Sequence, residues 1–445
     1  MNRLSKFIIL TSLTTAVNAQ SSGVSPYSLF GLGQTQVAGY AYGEILGGTQ
    51  IGNNSSLYVN SCQPASYSQV KYTTLDLGGN YQGIYQSSAQ GSLWNTTGGF
   101  RSMGIAIPLV KGLGTSVGIK PLTLVGYDML NEGFDTTFGG FTQSFKGSGG
   151  INKAHIGFGL KPIPFFSFGF NANYLFGSSD MNSRIIFDNN QLLNSVMNKQ
   201  RLLVNGWSWD GGAMFHVPIK MNRLNIGFSY SNIQNILASH DNSSFTYVPN
   251  SSGSETPLDT IISEFQPKGY ITLPFTFGVG LQYEKIIKDL PIPAWSISIQ
   301  YKVVGQEELR DFWSAGNKPY SGPYDENSKY VSFSGSVIPA LAFPERRFKS
   351  IASQIAYRAS FRSGSNGLFI NPEELVSSWQ STLGLGIPLG GSTMLPGDVK
   401  FATMHLGFQI GNLGTSNPKT LNEFSTRLIV GVTLNDQWFL KFKYR

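Results

Sequence analysis

Over long stretches of the chain, apolar and polar residues alternate with a period of two. Phe166, Phe168, Phe170, Ala172, Tyr174 and Phe176 alternate with Ser167, Gly169, Asn171, Asn173 and Leu175. The pattern returns at Leu224–Tyr230, Leu273–Tyr283, Trp295–Val303, Met404–Ile410, Leu428–Leu434 and Trp438–Tyr444. Successive side chains of a strand point to opposite faces, so each stretch is a strand with one apolar and one mainly polar face. None of these apolar faces carries a charge. The charges that occur, Arg223, Lys302, Arg427, Lys441 and Lys443, stand on the opposite faces. A soluble sandwich would also alternate, but its outer face meets water and is more highly charged. A lipid-facing strand excludes charge, because Lys or Arg at mid-bilayer costs roughly 2–4 kcal/mol.

The pattern predicts an all-β fold, a 14-stranded antiparallel transmembrane β-barrel. Strands are expected near 74–88, 99–109, 112–127, 151–161, 165–178, 202–218, 223–238, 270–285, 294–308, 346–362, 379–389, 401–412, 424–434 and 437–445. Long and short connections alternate, as long external loops and short periplasmic turns do in outer-membrane barrels. With a periplasmic C-terminus, Val110–Lys111, Pro162–Pro164 and Ile219–Asn222 become periplasmic turns. Residues 363–378 become a long periplasmic connection with a short helix at Pro372–Ser378. Pro274 lies inside a strand, where a residue without an N–H breaks the ladder. It marks either a wall kink or a strand end near the rim.

Residues 20–73 do not alternate. They are rich in Ser, Gly, Gln and Asn and precede the first strand. The domain reading is therefore a signal peptide at 1–19, an N-terminal plug at 20–73 and the barrel at 74–445. Arg3 and Lys6 form a basic start, Phe7–Val17 an apolar stretch, and Val17-Asn18-Ala19 a cleavage site after Ala19. Export to the bacterial outer membrane follows. The 54 residues before the barrel disfavour an open porin, since they need a place to fit.

Composition agrees with this picture. Charged residues make up 13% of the 445, aromatics 13%, and there are 52 glycines. Typical soluble domains carry roughly 25% charged residues. Mean hydropathy is −0.07, well below that of a helical membrane protein, and no run of 18 apolar residues occurs after the leader. The net charge of +7 is scattered, which gives no support to a nucleic-acid partner.

Candidate chemistry is sparse. His155, His216, His240 and His405 are dispersed, and Cys62 is the only cysteine. There is no HExxH, nucleophile elbow or phosphate loop, so no catalytic residue, metal site or cofactor is assigned and the chain is not read as an enzyme. The period-two glycines Gly157/Gly159, Gly278/Gly280 and Gly384/Gly386 read as small lumen-facing residues that leave room for a plug or channel. The lumen-facing cations Arg223, Lys302, Arg427 and Lys441 either attract an anionic ligand or pair with acids such as Glu44 and Asp76. Trp and Tyr near strand ends read as interfacial anchors in outer-membrane lipid. Loops 239–269 and 309–345, with Phe245, Tyr247, Phe312, Trp313, Tyr320 and Tyr324, are the candidate surfaces for protein partners.

The stretch Asn60-Ser61-Cys62-Gln63-Pro64-Ala65-Ser66-Tyr67-Ser68 resembles the Asn-Pro-Ala segment in the plug of FadL-type outer-membrane transporters, with Gln63 standing where that triplet has Asn. Ser25–Gly33 and Leu434–Tyr444 are similar to a Bacteroidetes-like branch of the same superfamily. The resemblance implies an N-terminal hatch, marked by Gln63, Pro64 and Ala65, inside a 14-stranded barrel. It implies passive uptake of hydrophobic, fatty-acid-like molecules that leave sideways through a kinked wall strand. The branch also includes barrels that act as structural scaffolds, such as PorV-type secretion components. That leaves a second implied function, the binding of protein partners in secretion or outer-membrane assembly.

Overall fold

The computed structural model describes residues 25–37, 39–137, 139–187, 194–249, 255–264, 268–287, 290, 292–305, 326–343, 350–370, 374–389 and 400–437. A two-residue strand, β1 (Gln34–Thr35), precedes the wall. The wall begins with β2 (Thr73–Ser88), β3 (Gly91–Val110), β4 (Leu113–Asp135), β5 (Gly139–Ile163), β6 (Phe166–Phe187) and β7 (Ser195–Ile219). It continues through β8 (Asn222–Ser231), β9 (Gln234–Pro249), β10 (Glu255–Glu264), β11 (Lys268–Leu273), β12 (Thr276–Lys285), β13 (Trp295–Val304) and β14 (Ser328–Val337). It ends with β15 (Ala356–Phe369), β16 (Leu375–Leu389), β17 (Lys400–Gly414) and β18 (Asn422–Asp436).

β18 pairs antiparallel with β2 from Asn422↔Ser87 to Asp436↔Thr73, which closes the ring. β8 and β9 form one interrupted wall strand. β10, β11 and β12 form another, with β10 continuing above β11 on the same edge of β9. The wall is thus a closed 14-stranded antiparallel barrel. Closure removes the sheet edges that lipid cannot hydrogen-bond.

The wall has inverted polarity. On β6, Phe168 is 46% exposed and Phe170 47%, while Asn171 on the inward face is fully buried. The inner faces of the other strands bury Ser, Thr, Asn and Gln in the same way, for example Ser116, Asn225, Gln282 and Thr382. No helix among the described residues is long and apolar enough to cross a membrane; this chain crosses with strands.

The strand count agrees with expectation, but its membership differs. β14 lies inside the expected loop 309–345. The ring closes at Asp436 against Thr73 and Gln437 is not strand; the rest of the strand expected at 437–445, from Trp438 on, falls outside the described residues. The strand expected at 346–362 starts at Ala356, after short helices at Pro339–Ala342 and Ile351–Gln354. The extra strand reverses the parity of the later connections. The connection after β15 therefore lies at the end opposite the two-residue turns 111–112, 164–165 and 220–221, and not at the periplasmic end as expected. The helix expected at Pro372–Ser378 is replaced, from Leu375 on, by β16. Loop 239–269 is largely the β9–β10 hairpin and the start of β11.

The wall is uneven in height. β4, β5 and β7 have 23, 25 and 25 residues, against 10 each in β13 and β14. About 9–11 tilted residues cross a bilayer, so β4–β7 and β9–β10 rise well above it. β3 and β4 pair only between Met103–Val110 and Leu113–Ile119, and part above that level. Gly149, Gly150 and Gly177 have φ of 114°, 145° and 151°, which are accessible to glycine. They bend β5 and β6 level with a register shift in β4 between Pro121 and Thr123.

Candidate functional site

The N-terminal segment 25–72 contacts strands from every side of the ring. It enters high, on β4: the Ser25 N–H donates to the Gly126 carbonyl (2.8 Å), the Gln36 N–H to the Leu122 carbonyl (3.0 Å), and β1 pairs with Thr123 and Leu124. Ser25 Oγ also donates to Glu423 on β18 (2.8 Å). Lower down, the Gln50 and Ile51 N–H groups both donate to Gln300 Oε1 (2.9 and 3.0 Å), and the Asn54 N–H to Gln282 Oε1 (3.1 Å). A backbone crossing the lumen has no ladder of its own, and wall glutamines supply the acceptors it needs.

The wall meets this backbone with glycines. A Cβ on Gly227 would stand 1.9 Å from the Ile51 carbonyl oxygen, and one on Gly169 would stand 2.3 Å from the Pro64 carbonyl carbon. Gly280 approaches Gly52, and Gly384 and Gly407 approach Ile45. Backbone seated this closely leaves no room for a methyl group at these glycines.

Three polar clusters tie the segment to the wall. Gln63 Nε2 donates to the carbonyls of Ile51 (3.0 Å), Phe228 (3.1 Å) and Ala213 (3.3 Å). Pro64 opens the 3-10 turn Pro64–Gln69, and Ala65 is fully buried. Tyr67 donates to Asn171 Oδ1 (2.9 Å); Asn171 donates to Asp210 (2.7 Å), which also takes Lys153 Nζ (2.7 Å). On the far side, the Arg358 guanidinium lies over Tyr42 (4.9 Å) and Tyr58 (5.6 Å), which stack at 4.0 Å. Arg358 donates to His405 Nδ1 (3.0 Å), His405 Nε2 to Thr433 Oγ1 (2.8 Å), and Thr433 to Asp76 (3.0 Å). Burial pushes the Tyr42 phenol up to about 12 and those of Tyr40 and Tyr67 well above their ordinary value, so all three stay neutral.

The inward face also carries a ring of cations, two of which bond the segment: Arg101, Lys120, Lys153, Lys302, Arg362 and Arg427. Lys120 donates to Ser61 Oγ (2.7 Å), Arg101 to Gln36, and Arg427 to Gln82 (2.8 Å). Arg362 stacks on Tyr330 (4.1 Å). The charges acting on Lys302 come from Cys62, Arg362, Lys120 and Lys153. Among the described residues Asp210 is the carboxylate in direct contact with the ring, and Glu44 of the segment acts on Arg101 and Arg427. The inward face beside the segment is therefore cationic here, a chemistry that suits carboxylate or phosphate.

Of the cations singled out in the sequence, Lys302 and Arg427 belong to this ring. Arg223 does not: it sits near the lower rim, paired with buried Glu284 (2.6 Å). Lys441 lies outside the described residues. Among the described residues, neither Glu44 nor Asp76 forms an ion pair with Arg223, Lys302 or Arg427. Arg101, Lys120, Lys153 and Arg362 were missed. Period two gave a usable signal for two of them, in Lys153-His155-Gly157-Gly159 and Arg358-Ser360-Arg362.

Pro274 lies with Phe275 in the break between β11 and β12, opposite the break at 232–233. The β7 ladder opens beside it, between Val204↔Ala238 and Gly211↔Tyr230. Gln234 spans that opening: its Oε1 accepts from the Trp209 N–H (2.7 Å) and its Nε2 donates to the Trp209 carbonyl (2.9 Å). Two grooves of about 840 and 800 Å³ include residues of the outer wall such as Ile297, Gly335, Leu383 and Phe408. Among the described residues no cluster of three His, Cys, Asp or Glu could hold a metal.

Among solved structures, a FadL homologue of Pseudomonas aeruginosa has a TM-score of 0.53 at 12% identity, covering 92% of this chain and all of that one. The toluene transporter TodX of Pseudomonas putida has a TM-score of 0.50 at 10% identity, covering 91% and 100%. At such identities the likeness is one of fold: this barrel has the FadL-type fold. No curated protein matches the sequence. A family model described as BamG matches residues 1–445.

Proposed function

The chain belongs to the BamG family, and from that premise we propose that this outer-membrane β-barrel is a closed, non-conducting structural subunit that binds protein partners in secretion or outer-membrane assembly. In this reading residues 1–19 are a signal peptide cleaved after Ala19, 20–73 a fixed plug and 74–445 the barrel. The observation that carries it is the way the wall is built around the segment. Glycines admit its backbone, glutamines cap it, and residues 25–36 occupy the edge of β4 where the wall parts. A gated channel needs a segment that can move at low cost, whereas this one is packed like an interior. The test is purification in mild detergent, with native mass and planar-bilayer conductance measured together. Stoichiometric protein partners and no conductance are expected. A lone barrel with no partner would refute the proposal.

A second reading has its own observation. The cation ring suits the head group of an anionic, fatty-acid-like molecule, and passive uptake of such hydrophobic compounds would use it. Mass spectrometry of the purified protein separates the two. Retained amphiphilic anions, lost in a Lys302→Ala/Arg362→Ala variant, would favour uptake.

A further inference from the structure

We propose that the free upper edge of β4, from Asp128 to Phe134, is a docking site for an extended strand of a protein partner, carrying alternating apolar and Lys or Arg side chains and pairing antiparallel to β4. This rests on the structural-subunit reading and names the surface that reading needs.

β4 is paired with β5 along its whole upper length, to Asp135↔Gly139. Its other edge loses β3 after Ile119. The lower part of that edge is taken by this chain itself, through β1 and the backbone bonds at Leu122 and Gly126. Above this, among the described residues, no strand pairs with the edge between Asp128 and Phe134. An unpaired edge presents N–H and C=O groups that a further strand satisfies, and seven residues make about 23 Å, the length of an ordinary strand.

The proposed site continues an interface the chain already uses, since β1 shows that this edge accepts an antiparallel strand. Counting from Leu113, about ten residues cross the bilayer, so the free part stands outside the lipid, where a soluble partner reaches it. Exposed edges that proteins protect are short, bulged or covered. This one has no register shift above Thr123. Its outward face reads Asp128, Leu130, Glu132, Phe134, with Leu130 69% and Phe134 78% exposed. It contains two acids and no Lys or Arg. Asp128 already holds Lys146 (2.8 Å), so a basic side chain on this face has a precedent within the chain. Apolar positions alternating with acids call for the complementary alternation on the incoming strand.

The test places a photo-crosslinking amino acid at Leu130, at Phe134 and, as a control on the lipid-facing wall, at Phe424, in cells that make the full chain. Adducts are expected from 130 and 134 to one contiguous, basic, extended segment of another protein, and not from 424. The double variant Asp128→Lys/Glu132→Lys should reduce adduct yield at least tenfold, with heat-modifiable gel mobility confirming a folded barrel. If that variant does not fold, Glu132→Gln alone should reduce the yield several-fold. Adducts within this chain or to a second copy would overturn the proposal. So would the absence of adducts while the purified complex persists, and that outcome leaves the structural-subunit reading standing. Absence of any complex removes both.

Discussion

The ring has a low side and a tall side. On the low side, β13 and β14 use 10 residues each, about what a bilayer needs. On the tall side, β4, β5 and β7 run to 23–25 residues. Both sides hold the N-terminal segment at the same level, through Gln300, Gly280 and Arg358 on one and Gly227, Gly169 and Asn171 on the other. Closing the lumen therefore uses the short strands in full and only the lower half of the long ones. The surplus length has a separate task, and the two sides fail under different mutations.

The largest expected effect comes from excising residues 39–70, which removes the shared level altogether. A 14-stranded ring is wider than the 8-stranded barrels whose side chains fill the interior, so the variant should conduct ions in planar bilayers where the full chain does not. Next come the glycine contacts. Gly227→Leu drives a side chain into the Ile51 backbone and should cost roughly 3 kcal/mol in urea unfolding from lipid vesicles. Gly335→Ala, where an added Cβ meets nothing nearer than Ser296 O at 3.8 Å, should change stability by under about 0.5 kcal/mol. Equal costs at the two positions would break the comparison. Arg358→Ala removes the cation stacked on Tyr42 and Tyr58 and should cost about 2 kcal/mol on the low side, with protease exposure of the segment as the second readout. On the tall side, Gln234→Ala removes the amide that spans the β7 opening, at about 1 kcal/mol. Its effect should appear as faster hydrogen exchange at Trp209, with the segment still protected. The smallest effect is that of Lys146→Ala, whose ion pair with Asp128 is half exposed; about 0.5 kcal/mol or less is expected.

Much of the wall was legible because a lipid-facing strand carries a strong signal in its own residues. β6 needed nothing but its phenylalanines. β14 escaped because its outer face, Lys329, Val331, Phe333, Gly335 and Val337, opens on a lysine and contains a glycine. The lipid signal is faint there, and the pattern alone reads as loop. The alternation at Trp438–Tyr444 falls outside the described residues, and the described ring is complete at Asp436. β14 takes a place in the count of 14 and reverses the parity of the later loops. The cation ring was half hidden for another reason. Its members are brought together by register between strands up to 326 positions apart, and no local pattern encodes register. Arg101 faces inward only because β3 carries a bulge between the partners of Gly78 and Gly79, which buries both Arg101 and Ser102.

The contacts of the N-terminal segment also constrain the order in which the molecule can assemble. Its partners lie on strands from β2 to β18, and the closing seam joins residues about 350 positions apart. Were the seam to form first, nearly fifty residues (25–72) would have to thread into a finished cylinder and find their acceptors one at a time. If the segment is seated while the sheet is still open, it serves as the mandrel around which the strands curl. The long loop-closure search then ends on a surface already shaped to receive it.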